Sequence, residues 1–220
     1  GASYMASFHP DSQRLFVSSF SGLVSMWDVS RHGRGELATV PYSGSILNTG
    51  CSLDRSLIIE GRADGSVVLL DSSTFREVAR MFVSPGPCNN LLPGVSCDNT
   101  RLAVDIGGQI SVWDVQSGKR LFDRPAEDRW DQRFAFPPAF SPDGTLLATG
   151  GYSEKITVWN LVTGQKQWVF SIRPGSPPKY SQFSPDGRRL AVGAGETTES
   201  GGGITWVWNL AEPGKPPLVI

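Results

Sequence analysis

Two histidines with acidic neighbours are the first residues whose types suggest chemistry. His9 stands two residues before Asp11, and His32 follows Trp27-Asp28. An imidazole beside a carboxylate suits general-base work, and two histidines with Asp11 or Asp28 would make a rudimentary metal site. No ligand spacing supports the metal. His9 fills the turn position that Ser141 and Ser184 hold in matching segments, so it reads as a turn residue, and His32 reads as a solvated loop. Cys51, Cys88 and Cys97 are an odd number without metal-ligand spacing, which suits reduced core thiols and an intracellular, cytoplasmic location. No serine sits in a nucleophile elbow, and no cysteine and histidine share a catalytic signature. Gly193-Ala194-Gly195-Glu196-Thr197-Thr198 begins like a dinucleotide loop, but Thr198 replaces the third glycine and no helix follows. Carboxylates such as Asp105, Glu127, Asp128 and Glu154 could line a channel and bind Ca²⁺, yet they read more simply as solvating loops. The expectation is no catalytic residue, no metal and no cofactor.

The elements that would position any site follow from composition and repetition. The 220 residues are 39% hydrophobic, enough to enclose a core. Lys and Arg number 20 against 21 Asp and Glu, for a net charge of −1, which disfavours nucleic acid as the main partner. There are 25 Gly and 16 Pro, well above the usual ~12% combined share, which favours short strands between many turns. The strongest apolar run, Val67 to Leu70, ends at Asp71, so no membrane span is expected. Residues 1–20 lack a positive start followed by an apolar segment, so no signal peptide is read, and Gly1 points to processing, a tag remnant or truncation.

An Asp-centred turn recurs along the chain. It stands as Phe8-His9-Pro10-Asp11, Phe140-Ser141-Pro142-Asp143-Gly144 and Phe183-Ser184-Pro185-Asp186-Gly187, with degraded copies at Asp54 and Asp98. The five aspartates are 43, 44, 45 and 43 residues apart. Each is followed by an apolar segment ending in Met26-Trp27-Asp28, Leu69-Leu70-Asp71, Val112-Trp113-Asp114, Val158-Trp159-Asn160 or Val207-Trp208-Asn209. Between the markers lie short strands. Arg14 to Ser18, Ser56 to Ile59, Arg101 to Val104, Thr145 to Thr149 and Arg189 to Val192 are second strands, and the Trp-bearing segments are third. Gly35 to Val40, Glu77 to Phe82, Lys119 to Phe122, Lys166 to Phe170 and Pro217 to Ile220 are fourth. A four-stranded sheet cannot hide both faces alone, so similar sheets must stack.

This spacing, the Pro-Asp-Gly turns and the Trp-Asp ends resemble the WD40-repeat β-propeller family, in a divergent, bacterial-type form. The resemblance covers essentially the whole chain. It implies an all-β propeller of five four-stranded antiparallel blades at about 4–42, 46–83, 91–123, 134–171 and 180–220, within a single domain spanning 1–220. The family's Gly-His dipeptide is absent, and its Asp six residues before the Trp position survives only as Asp64, before Leu70. The buried Asp–His network is therefore expected to be missing. Family rings commonly have seven blades and share strands between their ends. Here three arrangements stay open: a closed five-bladed ring, a piece of a longer propeller, or an open array completed by another chain. The last two are favoured.

In such a fold the connections between blades and the loops between second and third strands form one face, often the recognition face. Between the third and fourth units lies Asp123-Arg124-Pro125-Ala126-Glu127-Asp128-Arg129-Trp130-Asp131-Gln132-Arg133. Trp130, flanked by Arg129 and Arg133, falls outside the repeat pattern. It has the composition of an interface anchor, and a Trp folded back over a blade edge is the equal alternative. Tyr152 and Glu154 on the next loop, then Arg173, Lys179 and Tyr180, extend the candidate surface. Trp206 reads as core. Gly193 to Gly203 is an expanded loop.

The function expected is a non-catalytic protein-interaction platform, or a sensor or scaffold module of a larger assembly. Its partner would be a protein, a peptide or further blades, with no nucleic acid, no membrane, and a small molecule less favoured. The alternatives are a metal-dependent, lactonase-like propeller hydrolase and an open structural array that self-associates.

Overall fold

The computed structural model describes residues 3–8, 11–19, 23–30, 35–41, 44–89, 91–125, 136–150, 154–172, 178–195 and 203–220. These form two compact units, Gly1–Pro93 and Gly94–Ile220. Strands β1 (Ser3–Phe8), β2 (Arg14–Ser19), β3 (Leu23–Asp28) and β4 (Gly35–Pro41) make sheet 1, and β5 (Ile46–Cys51), β6 (Leu57–Arg62), β7 (Ser66–Asp71) and β8 (Glu77–Phe82) make sheet 2. Sheet 3 holds β9 (Leu92–Val95), β10 (Arg101–Ile106), β11 (Gln109–Asp114) and β12 (Arg120–Pro125). Sheet 4 holds β13 (Ala139–Phe140), β14 (Leu146–Gly150), β15 (Lys155–Asn160) and β16 (Gln165–Ser171). Sheet 5 holds β17 (Pro178–Phe183), β18 (Arg189–Gly195), β19 (Gly203–Asn209) and β20 (Leu218–Val219). Each sheet is an antiparallel meander in chain order, and the described residues contain no helix. The all-β organisation in five four-stranded blades matches the sequence reading.

The recurrent Asp turn is a closed hydrogen-bond device. In four sheets a serine hydroxyl (Ser52, Ser96, Ser141, Ser184) donates to the turn Asp at 2.5–2.6 Å. The same oxygen accepts the backbone N–H five residues on, at 2.9–3.0 Å. The residue after the Asp has positive φ in every sheet: Ser12, Arg55, Asn99, Gly144 and Gly187. This left-handed requirement explains why the better copies carry glycine there. The Asp or Asn that ends each third strand caps the next turn, as where Asp71 accepts the Thr74 N–H at 2.8 Å and Asn160 the Thr163 N–H at 3.0 Å. Four residues after these caps, Gly118 and Gly164 have positive φ, and in sheet 2 Phe75 takes that conformation instead. Its strain, about 1–2 kcal/mol for an L-residue, is offset by burial against Phe16 at 5.8 Å.

The outer strands are blunted. In sheets 1 to 4 one residue bulges out of register opposite the end of the third strand: Leu37, Val78, Leu121 and Gln167. Such an extra residue bends an edge and disrupts further pairing.

Packing follows one rule within each unit. Where one sheet follows another within a unit, the cross-strand row that ends at the Trp position of the later sheet covers the earlier one. Phe140–Leu147–Trp159 of sheet 4 joins a core with Ala103, Val112 and Phe122 of sheet 3, Phe122 lying edge-on to Trp159 at 5.7 Å. Phe183–Leu190–Trp208 of sheet 5 packs likewise on Ala148, Val158 and Phe170 of sheet 4, with Phe170 stacked on Trp208 at 4.9 Å. Leu70, Ile58 and Val68 of sheet 2 pack on Phe16 and Met26 of sheet 1. Trp206 is in the core, as read from the sequence.

Several local readings change. Asp123, Arg124 and Pro125 belong to strand β12 rather than to a connecting loop, because Asp123 and Arg124 pair with Ser111 and Ile110 and the Arg124 guanidinium sits 5.3 Å over the Phe122 ring. Gly193, Ala194 and Gly195 likewise extend β18, and Gly203 opens β19. The three cysteines are half-buried rather than core, and no disulfide joins them.

Candidate partner-binding surface

Within each meander, the second strand ends, the third begins and the fourth ends at the end opposite the Asp turns. In sheet 3 the loop there is the Gly107-Gly108 pair, both at positive φ, the geometry a two-residue type I′ hairpin demands. In sheet 2 the connection after β8 folds over the β6–β7 turn. The N–H groups of Val83 and Ser84 donate to the Gly65 carbonyl at 3.0 and 3.2 Å, and the Cys88 N–H donates to Ala63 at 2.9 Å. The end of sheet 2 is thus braced by its own backbone.

Of the residues singled out for partner binding, Arg129, Trp130, Arg133 and Tyr152 lie outside the described residues, as does Arg173. Glu154 is half-buried at the β14–β15 turn, with φ 59°, and its carbonyl accepts the Ile172 N–H at 2.8 Å, tying the exit of β16 to that turn. Lys179 and Tyr180 share strand β17 instead of a loop. Lys179 is the extra residue of a bulge between the Pro178–Ala194 and Tyr180–Gly193 pairs. Its side chain runs beside Gly195, where a Cβ would come within 2.7 Å of Nζ. Tyr180, opposite a residue without a side chain, is 72% exposed.

Sheets 2 and 3 each hold, near the turn between their second and third strands, buried charges that the sequence reading did not single out or placed elsewhere. In β6 the Arg62 guanidinium donates twice to Oε2 of Glu60, from Nε at 2.9 Å and Nη2 at 2.6 Å, and both side chains are buried. The signal was present as Leu-Ile-Ile-Glu-Gly-Arg, in which opposite charges two residues apart must share one face of an apolar strand. Asp105, read as a loop carboxylate, is buried in β10 and accepts the Gly108 N–H at 3.0 Å. It closes the Gly107-Gly108 turn from inside the strand. Among the described residues no group of three or more His, Cys, Asp or Glu is placed to hold a metal, and His9 and His32 are outside them.

Burial pushes the Asp105 carboxyl up to about 6 from an ordinary 3.8, against the opposing pull of the Gly108 N–H. The folded chain therefore holds this proton between pH 4 and 6 while the unfolded chain releases it, so stability is expected to fall as pH rises through that window. Asp105→Asn keeps an acceptor for Gly108 and removes the buried charge. It is expected to add ~1–3 kcal/mol at pH 7 and to flatten the pH dependence. Urea unfolding at pH 4.5 and pH 7 checks this, and an unchanged pH slope in the variant refutes it. Opposite shifts occur at Asp98 and Asp143, whose carboxyls are held low by the Ser96 and Ser141 hydroxyls.

The family model for the WD domain, G-beta repeat, matches residues 3–28 and 139–160. These are the first three strands of sheets 1 and 4. The chain is 28% identical over 179 residues to apoptotic protease-activating factor 1 of Homo sapiens, covering 79% of this chain and 14% of that protein. Over 115 residues it is 31% identical to the protein LST8 homolog of Drosophila melanogaster, covering 49% of this chain and 33% of that protein. With the meiotic recombination protein rec14 of Schizosaccharomyces pombe it shares 22% over 190 residues, covering 83% and 60%. The chain thus spans only 14% of the apoptotic factor's length, and no helix among the described residues is long and apolar enough to cross a membrane.

Proposed function

From the WD40-repeat family, to which this chain belongs and whose members are in general protein-interaction modules, we propose that it is a non-catalytic platform, a scaffold or sensor module within a larger assembly. The observation that carries the reading is the self-sufficiency of the frame. Turn caps, blunted outer strands and braced connections satisfy the backbone from within. Side chains at the connecting end are therefore available for recognition. Tyr180 and Lys179, on a bulged strand, supply an exposed aromatic beside a cation. With Glu154, Tyr152 and the Arg129, Trp130 and Arg133 segment they compose a mixed-charge, aromatic surface suited to a protein or peptide. Three cysteines without a disulfide are consistent with a reducing, cytoplasmic setting.

The test is cross-linking of the full chain in its cell extract, identification of the protein captured, and calorimetry with that purified partner. Trp130→Ala and Tyr180→Ala are each expected to weaken the complex by ~2 kcal/mol or more while circular dichroism stays unchanged. Unaltered affinity in both variants removes this surface from the site.

A further inference from the structure

Within the second unit, the outer strand of sheet 3 brings a guanidinium to a turn of sheet 4 that carries no acid. In β12 the carboxylate of Asp123 is already engaged, its Oδ1 accepting the Gln109 amide and its Oδ2 accepting Arg120 Nη1 at 2.9 Å. Among the described residues the next side chain, Arg124, has no carboxylate partner, and its Nη1 donates to the Asp123 carbonyl at 2.8 Å. The guanidinium is nonetheless held in place. It sits 5.3 Å over the Phe122 ring, and its Nη2 lies 3.3 Å from where a Cβ on Gly164 would stand, against the β15–β16 turn. The rest of its planar fork of donors is left without a protein acceptor.

The turn it touches differs from its counterparts in charge. Asp28, Asp71 and Asp114 cap this turn in sheets 1 to 3, whereas Asn160 caps it in sheet 4. The asparagine keeps the cap, its Oδ1 accepting the Val162 and Thr163 N–H groups at 3.0 Å, and drops the negative charge. The residue paired with the Trp position changes sign as well, being Glu36 and Glu77 in sheets 1 and 2 but Lys166 in sheet 4. Lys166 stands 5.7 Å over Trp159, the ring that Phe122 meets edge-on. Two cations therefore lie over the two members of one aromatic pair. Residues 160–167 contain no acid, and Asp143 on the neighbouring Asp turn has both oxygens engaged by Ser141 and Thr145. The exposed Thr163 accepts the Gln165 N–H at 3.3 Å, which leaves its O–H to donate. Beside it Val162 is 79% exposed.

We propose that this corner recognises a phosphorylated side chain of a partner peptide, with Arg124, Lys166 and the Thr163 hydroxyl on the phosphoryl oxygens and Val162 against an adjacent apolar residue. A phosphoryl group near neutral pH carries a charge approaching two, which matches the two cations, and the Arg fork suits it in geometry. The site lies on outer strands rather than on the connecting surface. The two readings fail separately, because Trp130→Ala and Tyr180→Ala leave every residue of this corner in place.

Calorimetry of the full chain tests the proposal with three probes: a blocked tetrapeptide holding phosphoserine followed by leucine, the same peptide with serine, and inorganic phosphate. The phosphopeptide is expected to bind in the submillimolar range, about tenfold tighter than phosphate, and the serine peptide is expected not to bind. Asn160→Asp returns to the turn the acid that sheets 1 to 3 carry and retains the cap, and Gln167, which accepts the Asn160 amide at 3.4 Å, can turn its own amide to the carboxylate. This variant and Arg124→Gln are each expected to weaken the phosphopeptide about tenfold with unchanged circular dichroism. Arg188→Gln, at an exposed position on the sheet 5 Asp turn, is expected to bind as wild type. A phosphopeptide that does not bind, an Asn160→Asp chain that binds it as wild type does, or an equal loss in Arg188→Gln overturns the proposal. Inorganic phosphate that binds as tightly as the peptide overturns its assignment to a peptide-borne group.

Discussion

Arg62→Met is expected to destabilise the first unit by ~3–5 kcal/mol, one of the two largest effects of any single change considered for this chain. Methionine keeps most of the stem volume of arginine but removes both donors to Glu60 Oε2. The carboxylate is then left in a fully buried strand among Ile58, Ile59 and Val68. Its charge no longer has a counter-ion, and water cannot reach it without opening the sheet. The double variant Glu60→Leu/Arg62→Met removes both charges and is expected to recover most of the loss, because the pair's mutual attraction little more than offsets its desolvation. Urea unfolding of the two variants checks both statements. A small loss in Arg62→Met, or a double variant as unstable as the single one, would show that the pair is not the constraint described.

Trp159→Ala is expected to cost ~3–5 kcal/mol, whereas Trp27→Ala, at the same place in the repeat, is expected to cost no more than ~1 kcal/mol under monomeric conditions. The contrast isolates tertiary packing, since both residues stand next to last in the third strand, both follow an apolar residue and both sit beside an outer-strand bulge. Trp159 is enclosed by Phe122, Val112 and Leu147, and its Nε1–H donates to Thr149 at 3.0 Å. Truncation there leaves a cavity and takes the indole donor from the Thr149 hydroxyl, which keeps only its own bond to the Thr157 carbonyl at 3.4 Å. Trp27 is half out in water before any change is made. Equal losses in the two variants would mean that sheet 1 is covered in solution as sheet 4 is.

The repeat was legible because its determinants are local. A hairpin turn needs its Asp, its serine partner two residues from that Asp and five from the N–H it accepts, and a residue tolerant of positive φ, all within one short window. The third-strand caps obey the same logic, so Asp28, Asp71, Asp114, Asn160 and Asn209 mark strand ends by their own hydrogen bonds. Strand-length errors arose where pairing overrode composition. Asp123 and Arg124 look like loop residues, but β11 offers them partners and the Phe122 ring offers Arg124 a face. Asp105 looks like a solvated carboxylate, and the Gly107-Gly108 hairpin draws it inside.

By itself the sequence determined how many sheets form, where their hairpins turn and which residues end their third strands, because each of these rests on bonds between near neighbours in the chain. Only the tertiary structure decided that Phe140–Leu147–Trp159 is core while Phe8–Leu15–Trp27 is surface, and that Glu60 and Arg62 are sealed in rather than solvated. Burial is a property of what lies across the gap, and identical residues acquire different roles when one row meets another sheet and the next meets water.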